Sequence, residues 1–126
     1  MVKKILLFAS ISGAVAVALG ALGAHFLKEH LSDKMMNAFE TGVRYQMYHS
    51  LALIGLALVH EKMEERSLRR AGRLFMAGII LFSGSLYAMV FAQLGGMSWD
   101  WLGPITPLGG VCFILGWLMF AFTFLL

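Results

Sequence analysis

Apolar residues in this chain come in long unbroken runs rather than in the narrow stripes of a helix that faces water on one side. Residues 5–27 form a stretch of 23 without a formal charge, set behind Lys3 and Lys4. At ~1.5 Å rise per residue such a run crosses a ~30 Å hydrocarbon core as a single helix. A basic start, an apolar stretch and small residues at 21–24 also give the outline of a secretion signal. Signal cores run ~7–15 residues, however, and the length here favours a permanent span.

The second run is shorter: only 16 uncharged residues separate Arg44 from Glu61. That length falls short of a bilayer core unless the helix begins earlier. Ser32-Asp33 offers an N-cap, and Met35, Met36, Ala38, Phe39, Val43 and Met47 supply apolar side chains among Asn37, Glu40 and Arg44. One long helix over 33–60 is therefore expected, its amphipathic lead-in either lying in the interface or entering the bundle with Glu40 and Arg44 paired at i,i+4. Residues 61–73 carry eight charges and read as a solvated connection. A third span follows at 74–94, then turn formers with Trp99 and Trp101, a pair suited to a headgroup boundary. Gly103-Pro104-Ile105-Thr106-Pro107 opens a fourth span over 105–126, since proline in a first helical turn wastes no hydrogen bond. The pattern predicts one all-α domain, an up-down-up-down four-helix membrane bundle.

Composition strengthens that picture. Hydrophobic residues make up 60% of the chain and charged residues 13%, against roughly a quarter charged in soluble domains. Beyond Arg73 the single charge is Asp100. Cys112 is the only cysteine, so no intrachain disulfide can form and cysteine-based zinc patterns are missing. The net charge of +3 lies in short clusters beside apolar runs, which points to membrane lipid rather than nucleic acid as partner. Lys3, Lys4, Lys62, Arg66, Arg69, Arg70 and Arg73 fall on one side of the membrane and Lys28, Lys34 and Arg44 on the other. The positive-inside rule then places both termini in the cytoplasm of a plasma (inner) membrane protein.

Two sets of residues are candidates for more than spanning. Gly13, Gly20 and Gly23, with Ala9, Ala16 and Ala24, make small-residue faces on the first helix; Gly84, Gly109, Gly110 and Gly116 offer close approach on the third and fourth. In lipid such faces pack helices together, within one chain or between copies or partner proteins. The second set is polar: His25, Glu40, Arg44, Tyr45, Gln46, Tyr48 and His49, expected as one layer near the non-cytoplasmic ends of the first two helices. Ionisable groups in a bilayer are costly unless paired or wet. Either they neutralise and hydrogen-bond one another, or they form a pocket for a headgroup, a small anion or a proton, which requires Arg44 to face the bundle. His25 and His49 at equal depth would also suit bis-histidine haem, but no other ligand spacing supports a metal, and no cofactor is expected. Ser83-Gly84-Ser85-Leu86-Tyr87 lacks both the glycine of a nucleophile elbow after its serine and any base on its helix. No catalytic residue is therefore assigned.

Four segments taken together, Gly20-Ala-Leu-Gly-Ala-His25, Phe39-Glu-Thr-Gly-Val-Arg-Tyr-Gln-Met-Tyr-His49, Leu81-Phe-Ser-Gly-Ser-Leu-Tyr87 and Gly103-Pro-Ile-Thr-Pro-Leu-Gly-Gly110, resemble domain-of-unknown-function family 423. The resemblance implies a small integral membrane protein of about four helices and brings no activity, cofactor or catalytic residue with it. The expected function is that of a non-enzymatic structural or interaction component of the membrane. The alternative is a small channel, carrier or lipid-binding protein built on the polar layer.

Overall fold

The computed structural model describes residues 1–125, and nearly all of them are helical. Helix α1 is Val2–His25 and helix α2 is Asp33–Lys62, joined through a short 3-10 turn, Leu27–Glu29. Helix α3 is Arg66–Leu94 and helix α4 is Ile105–Phe122, joined through a second 3-10 turn, Asp100–Leu102. No strand occurs among the described residues. Leu126, the last residue of the expected fourth span, lies outside them.

Local chemistry explains most boundaries. Ser32 caps α2 by accepting from the Met35 amide at 3.3 Å. Gly96, at φ 77°, supplies the left-handed residue that lets the chain turn out of α3. The largest departure from expectation is the start of α3. Residues 66–73 are helix rather than connection, and only Met63, Glu64 and Glu65 separate α2 from α3. Their charges are not spread around the helix: Arg66, Arg69, Arg70 and Arg73 share one exposed face, while Leu68, Ala71, Gly72 and Phe75 share the opposite, buried one. The run is an amphipathic first turn, polar to water and apolar to the bundle.

Helix α3 also contains one π-helical turn, Ile79–Ser83, between Gly78 and Gly84. Such a turn adds a residue to the helical phase. Phe75, Gly78 and Phe82 all come against α4, and Ser83 meets the Gly42 carbonyl of α2 at 2.7 Å.

The four helices alternate in direction. Ser12 meets Gln46, Gly20 meets Val43 and Gly23 meets Phe39, so α1 and α2 run antiparallel; Phe75 meets Gly116 and Phe82 meets Gly109, so α3 and α4 do too. Helix α2 is central, touching α1 along its length and α3 through its middle. One core gathers Ile5, Leu53, Leu56, Leu68, Phe75 and Phe113 near the end of the bundle that carries both termini. A smaller one, Leu27, Phe39 and Val90, closes the other end.

Burial is inverted relative to a soluble protein. Leu7, Ile11, Val17, Leu51, Leu58, Ile80, Ile114 and Leu118 point outward, whereas Ser12, Gln46, His49, Ser50 and Ser83 are buried. Helices α1, α3 and α4, the last taken with its preceding turn, are long and apolar enough to cross a membrane. Helix α2 has 30 residues, about 45 Å of rise, yet is less apolar on average. Its hydropathy is lowered by exposed charges at its two ends, Asp33, Lys34, Glu40, Arg44, Glu61 and Lys62, and by Gln46, His49 and Ser50, which it turns into the bundle.

Candidate functional site

The polar residues of α2 divide into three groups that do not form one layer. The innermost centres on Gln46, only 4% exposed. Its Nε2 donates to the Ser12 carbonyl at 2.9 Å and to Ser12 Oγ at 3.2 Å, and its Oε1 accepts from the Tyr87 hydroxyl at 2.6 Å. Ser50 Oγ lies 2.8 Å from Ser12 Oγ and 2.7 Å from the Gln46 carbonyl. One glutamine thereby ties α1, α2 and α3 together with both ends of its amide used. Ser12, Ser50 and Tyr87 complete this seam, and their partners were not evident from sequence: glutamine and serine are unremarkable alone, and contact across 34 to 41 residues has no local signature.

The second group is an aromatic stack around His49. Its Nδ1–H donates to the Tyr45 carbonyl at 2.7 Å, and its Nε2 accepts from Trp117 Nε1–H at 3.1 Å. Those two partners specify the neutral Nδ1–H tautomer and occupy both ring nitrogens. The ring stacks on Phe113 with centroids 3.6 Å apart and planes 10° off parallel. Tyr45, Tyr48, His49, Phe82, Phe113 and Trp117 line a groove of ≈560 Å³.

The third group is Glu40 and Arg44, both exposed, on the wall of a smaller groove of ≈180 Å³ floored by Gly20, Gly23 and Ala24 of α1. The expected Glu40–Arg44 ion pair is not formed among the described residues. Arg44 donates instead to Thr41 Oγ1 at 3.3 Å, and Thr41 donates to the Asn37 carbonyl at 2.8 Å.

His25 is far from His49. Gly23 packs on Phe39 and Met36, so exposed His25 lies level with the first turns of α2, while His49 lies beside Phe113 in the middle of α4. They differ in depth by about three helical turns, roughly 18 Å. The single layer at the non-cytoplasmic ends, and the facing histidine pair that haem would need, are thereby corrected: His49 is sixteen residues into a helix that starts at Asp33. His60, the last residue of the expected second helix, is inside α2 and buried, with neither ring nitrogen hydrogen-bonded.

The glycines also divide. A Cβ at Gly109 would lie 2.7 Å from Phe82 Cα, at Gly116 2.7 Å from the Phe75 ring and at Gly23 2.8 Å from the Phe39 ring. Gly42 against Tyr87 and Gly78 against Phe113 are equally tight and were not singled out from sequence. Gly20 and Gly110 have room for ordinary contact; Gly13 and Gly84 have no neighbour within 4 Å.

The relatives of this chain are named as membrane proteins. The family described as "Protein of unknown function (DUF423)" matches residues 19–110. The membrane protein YwdK of Bacillus subtilis (strain 168), of the UPF0382 group, is 44% identical over 118 residues, covering 93% of this chain and 92% of its own. The UPF0382 membrane protein SAB0533 of Staphylococcus aureus (strain bovine RF122 / ET3-1) is 41% identical, with 93% and 91% covered. The UPF0382 inner membrane protein YgdD of Escherichia coli (strain K12) is 38% identical, with 91% and 84% covered. No solved structure matches. With its outward-facing leucines, its inward-facing glutamine and serines and these relatives, the chain is a multi-helix membrane protein that belongs to the DUF423 family, whose biochemical activity is unknown.

Proposed function

We propose that the protein is a non-enzymatic component of the cytoplasmic membrane, with both termini on the cytoplasmic side, that works by associating with itself, with another membrane protein or with lipid. The observation that carries this reading is how its buried polar groups are used. Ser12, Gln46, His49, Ser50, Ser83 and Ser85, with half-buried Tyr87, are each hydrogen-bonded to another helix or to their own helix backbone; among the described residues only His60, near the end of α2, is buried with its side chain unpartnered. A general base or nucleophile needs a lone pair aimed at a substrate position. Here those lone pairs hold helices together.

The basic residues support the orientation, seven at the end with the termini against three at the other. Association draws support from the outer face of α1, where Gly13 is open and Leu7, Ile11 and Val17 are exposed. The test is the protein's stoichiometry in native-like bilayers, by single-molecule counting, together with the proteins and lipids it retains. Defined oligomers or a reproducible companion are expected. A strict monomer retaining nothing overturns the proposal.

A further inference from the structure

The groove between the start of α2 and the glycine face of α1 poses an electrostatic problem that the chain leaves unsolved. Met35 lies beside Trp99, which marks the headgroup boundary at the end opposite the termini. Arg44 is nine residues further along α2, roughly 13 Å deeper at ~1.5 Å per residue. A guanidinium rooted there sits beneath the boundary, where an unneutralised charge is costly. Its nearest carboxylate, Glu40, is not paired with it. Arg44 instead leans one turn back toward the boundary and is held by Thr41, itself fixed on the Asn37 carbonyl. The side chain is aimed outward and steadied, and it lacks an anion.

Gly20, Gly23 and Ala24 leave open the space beside it, with Val43 and Phe39 as apolar walls. Along this groove the two charged side chains are rooted in a fixed order, Arg44 one turn deeper than Glu40, with Cβ atoms about 6 Å apart. A phospholipid whose phosphate is followed by a primary ammonium has the complementary order. Its phosphate is joined to the glycerol and is the deeper group; its ammonium reaches outward on a two-carbon arm. We propose that this groove binds the headgroup of a zwitterionic aminophospholipid, the phosphate taken by Arg44 and the ammonium by Glu40, with the glycine face of α1 giving the headgroup room to enter. A bidentate guanidinium–phosphate contact would neutralise the Arg44 cation beneath the headgroup boundary. This goes beyond the association proposed above and does not depend on which way the protein faces.

The two charges separate the predictions. Native mass spectrometry of the full chain released from mixed vesicles of phosphatidylethanolamine, phosphatidylcholine and phosphatidylglycerol reads which lipids stay bound. Wild type should retain phosphatidylethanolamine about tenfold over the other two, since each charge-assisted contact contributes on that scale. Glu40→Gln should lose the preference while still holding a phospholipid; Arg44→Gln should lose retention of all three; Arg44→Lys should restore part of it. All three variants change exposed side chains, and unaltered helical circular dichroism shows that they fold. Free phosphoethanolamine at millimolar concentration should displace nothing, because the acyl chains hold the headgroup at the right depth. Equal retention of the three lipids by wild type, an unchanged lipid profile in Arg44→Gln, or displacement by the free headgroup overturns the proposal.

Discussion

The interface between α1 and α2 and the interface between α3 and α4 solve one problem in different ways. Neither helix pair can rely on the hydrophobic effect, because lipid tails are as apolar as the side chains they would replace. Helices α1 and α2 meet through a hydrogen-bonded seam in which Gln46 donates two bonds to Ser12 and accepts a third from Tyr87 of α3. Helices α3 and α4 meet through shape along their middle, where Gly78 receives the Phe113 ring, Gly109 lies against the Phe82 backbone and Gly116 receives the Phe75 ring, with hydroxyl pairs Ser85–Thr106 and Ser67–Thr123 toward the two ends. The polar seam gains specificity from partners that must be satisfied together; the glycine seam gains dispersion contact from backbones brought close. The first should tolerate changes of volume and fail on changes of polarity, and the second should do the reverse.

The sharpest test enlarges the glycine seam. Gly109→Val places its branched side chain into the Phe82 backbone, where no rotamer of a neighbour can make room. Overpacking costs ~1–3 kcal/mol when side chains can shift, and more when backbone must. Loss of the folded protein, seen as failure to extract a monodisperse species in mild detergent, is expected. A folded Gly109→Val with near-native thermal stability would show that α3 and α4 are not so close.

A smaller effect is expected where polarity is removed. Gln46→Leu keeps much of the volume but leaves the Tyr87 hydroxyl and Ser12 without their partner. Interhelical hydrogen bonds in membrane proteins contribute ~0.6 kcal/mol on average, up to ~1.7, so a loss of about 1–2 kcal/mol is expected. Adding Tyr87→Phe to Gln46→Leu should recover part of it, because an unpartnered buried donor costs more than an apolar replacement. Thermal unfolding of the four members of this cycle reads the coupling directly. Strict additivity would mean that Gln46 and Tyr87 do not share a bond.

How far these seams were legible in the sequence follows from the same physics. Run length and charge placement mark the helices and their order, since a bilayer imposes a thickness on any apolar segment. Gly23, Gly109 and Gly116 stand out because small residues in apolar helices have few other uses. The depth of His49 does not follow from residue types; it follows from its distance along α2 from Asp33. The helical start of α3 was available but missed: the spacing of Arg66, Arg69, Arg70 and Arg73 has a helical period, which the number of charges concealed. The partner of Gln46 was not available at all, since a glutamine does not announce which distant serine and tyrosine will share its amide.

The smallest effect bears on the glycines with nothing against them. Gly13 and Gly84 have open space where a Cβ would go, in contrast to the crowded glycines between α3 and α4. Within the isolated chain, Gly13→Ala and Gly84→Ala should therefore be neutral or stabilising by up to ~1 kcal/mol, the gain that alanine brings to a helix interior. Thermal unfolding of detergent-solubilised monomer reads that gain. Oligomeric state in bilayers reads something else. If Gly13→Ala stabilises the monomer yet weakens self-association, the open face of α1 is a contact between copies that uses close approach as α3 and α4 do. If it leaves association untouched, Gly13 faces lipid, and the glycine mode of packing is confined to contacts within one chain.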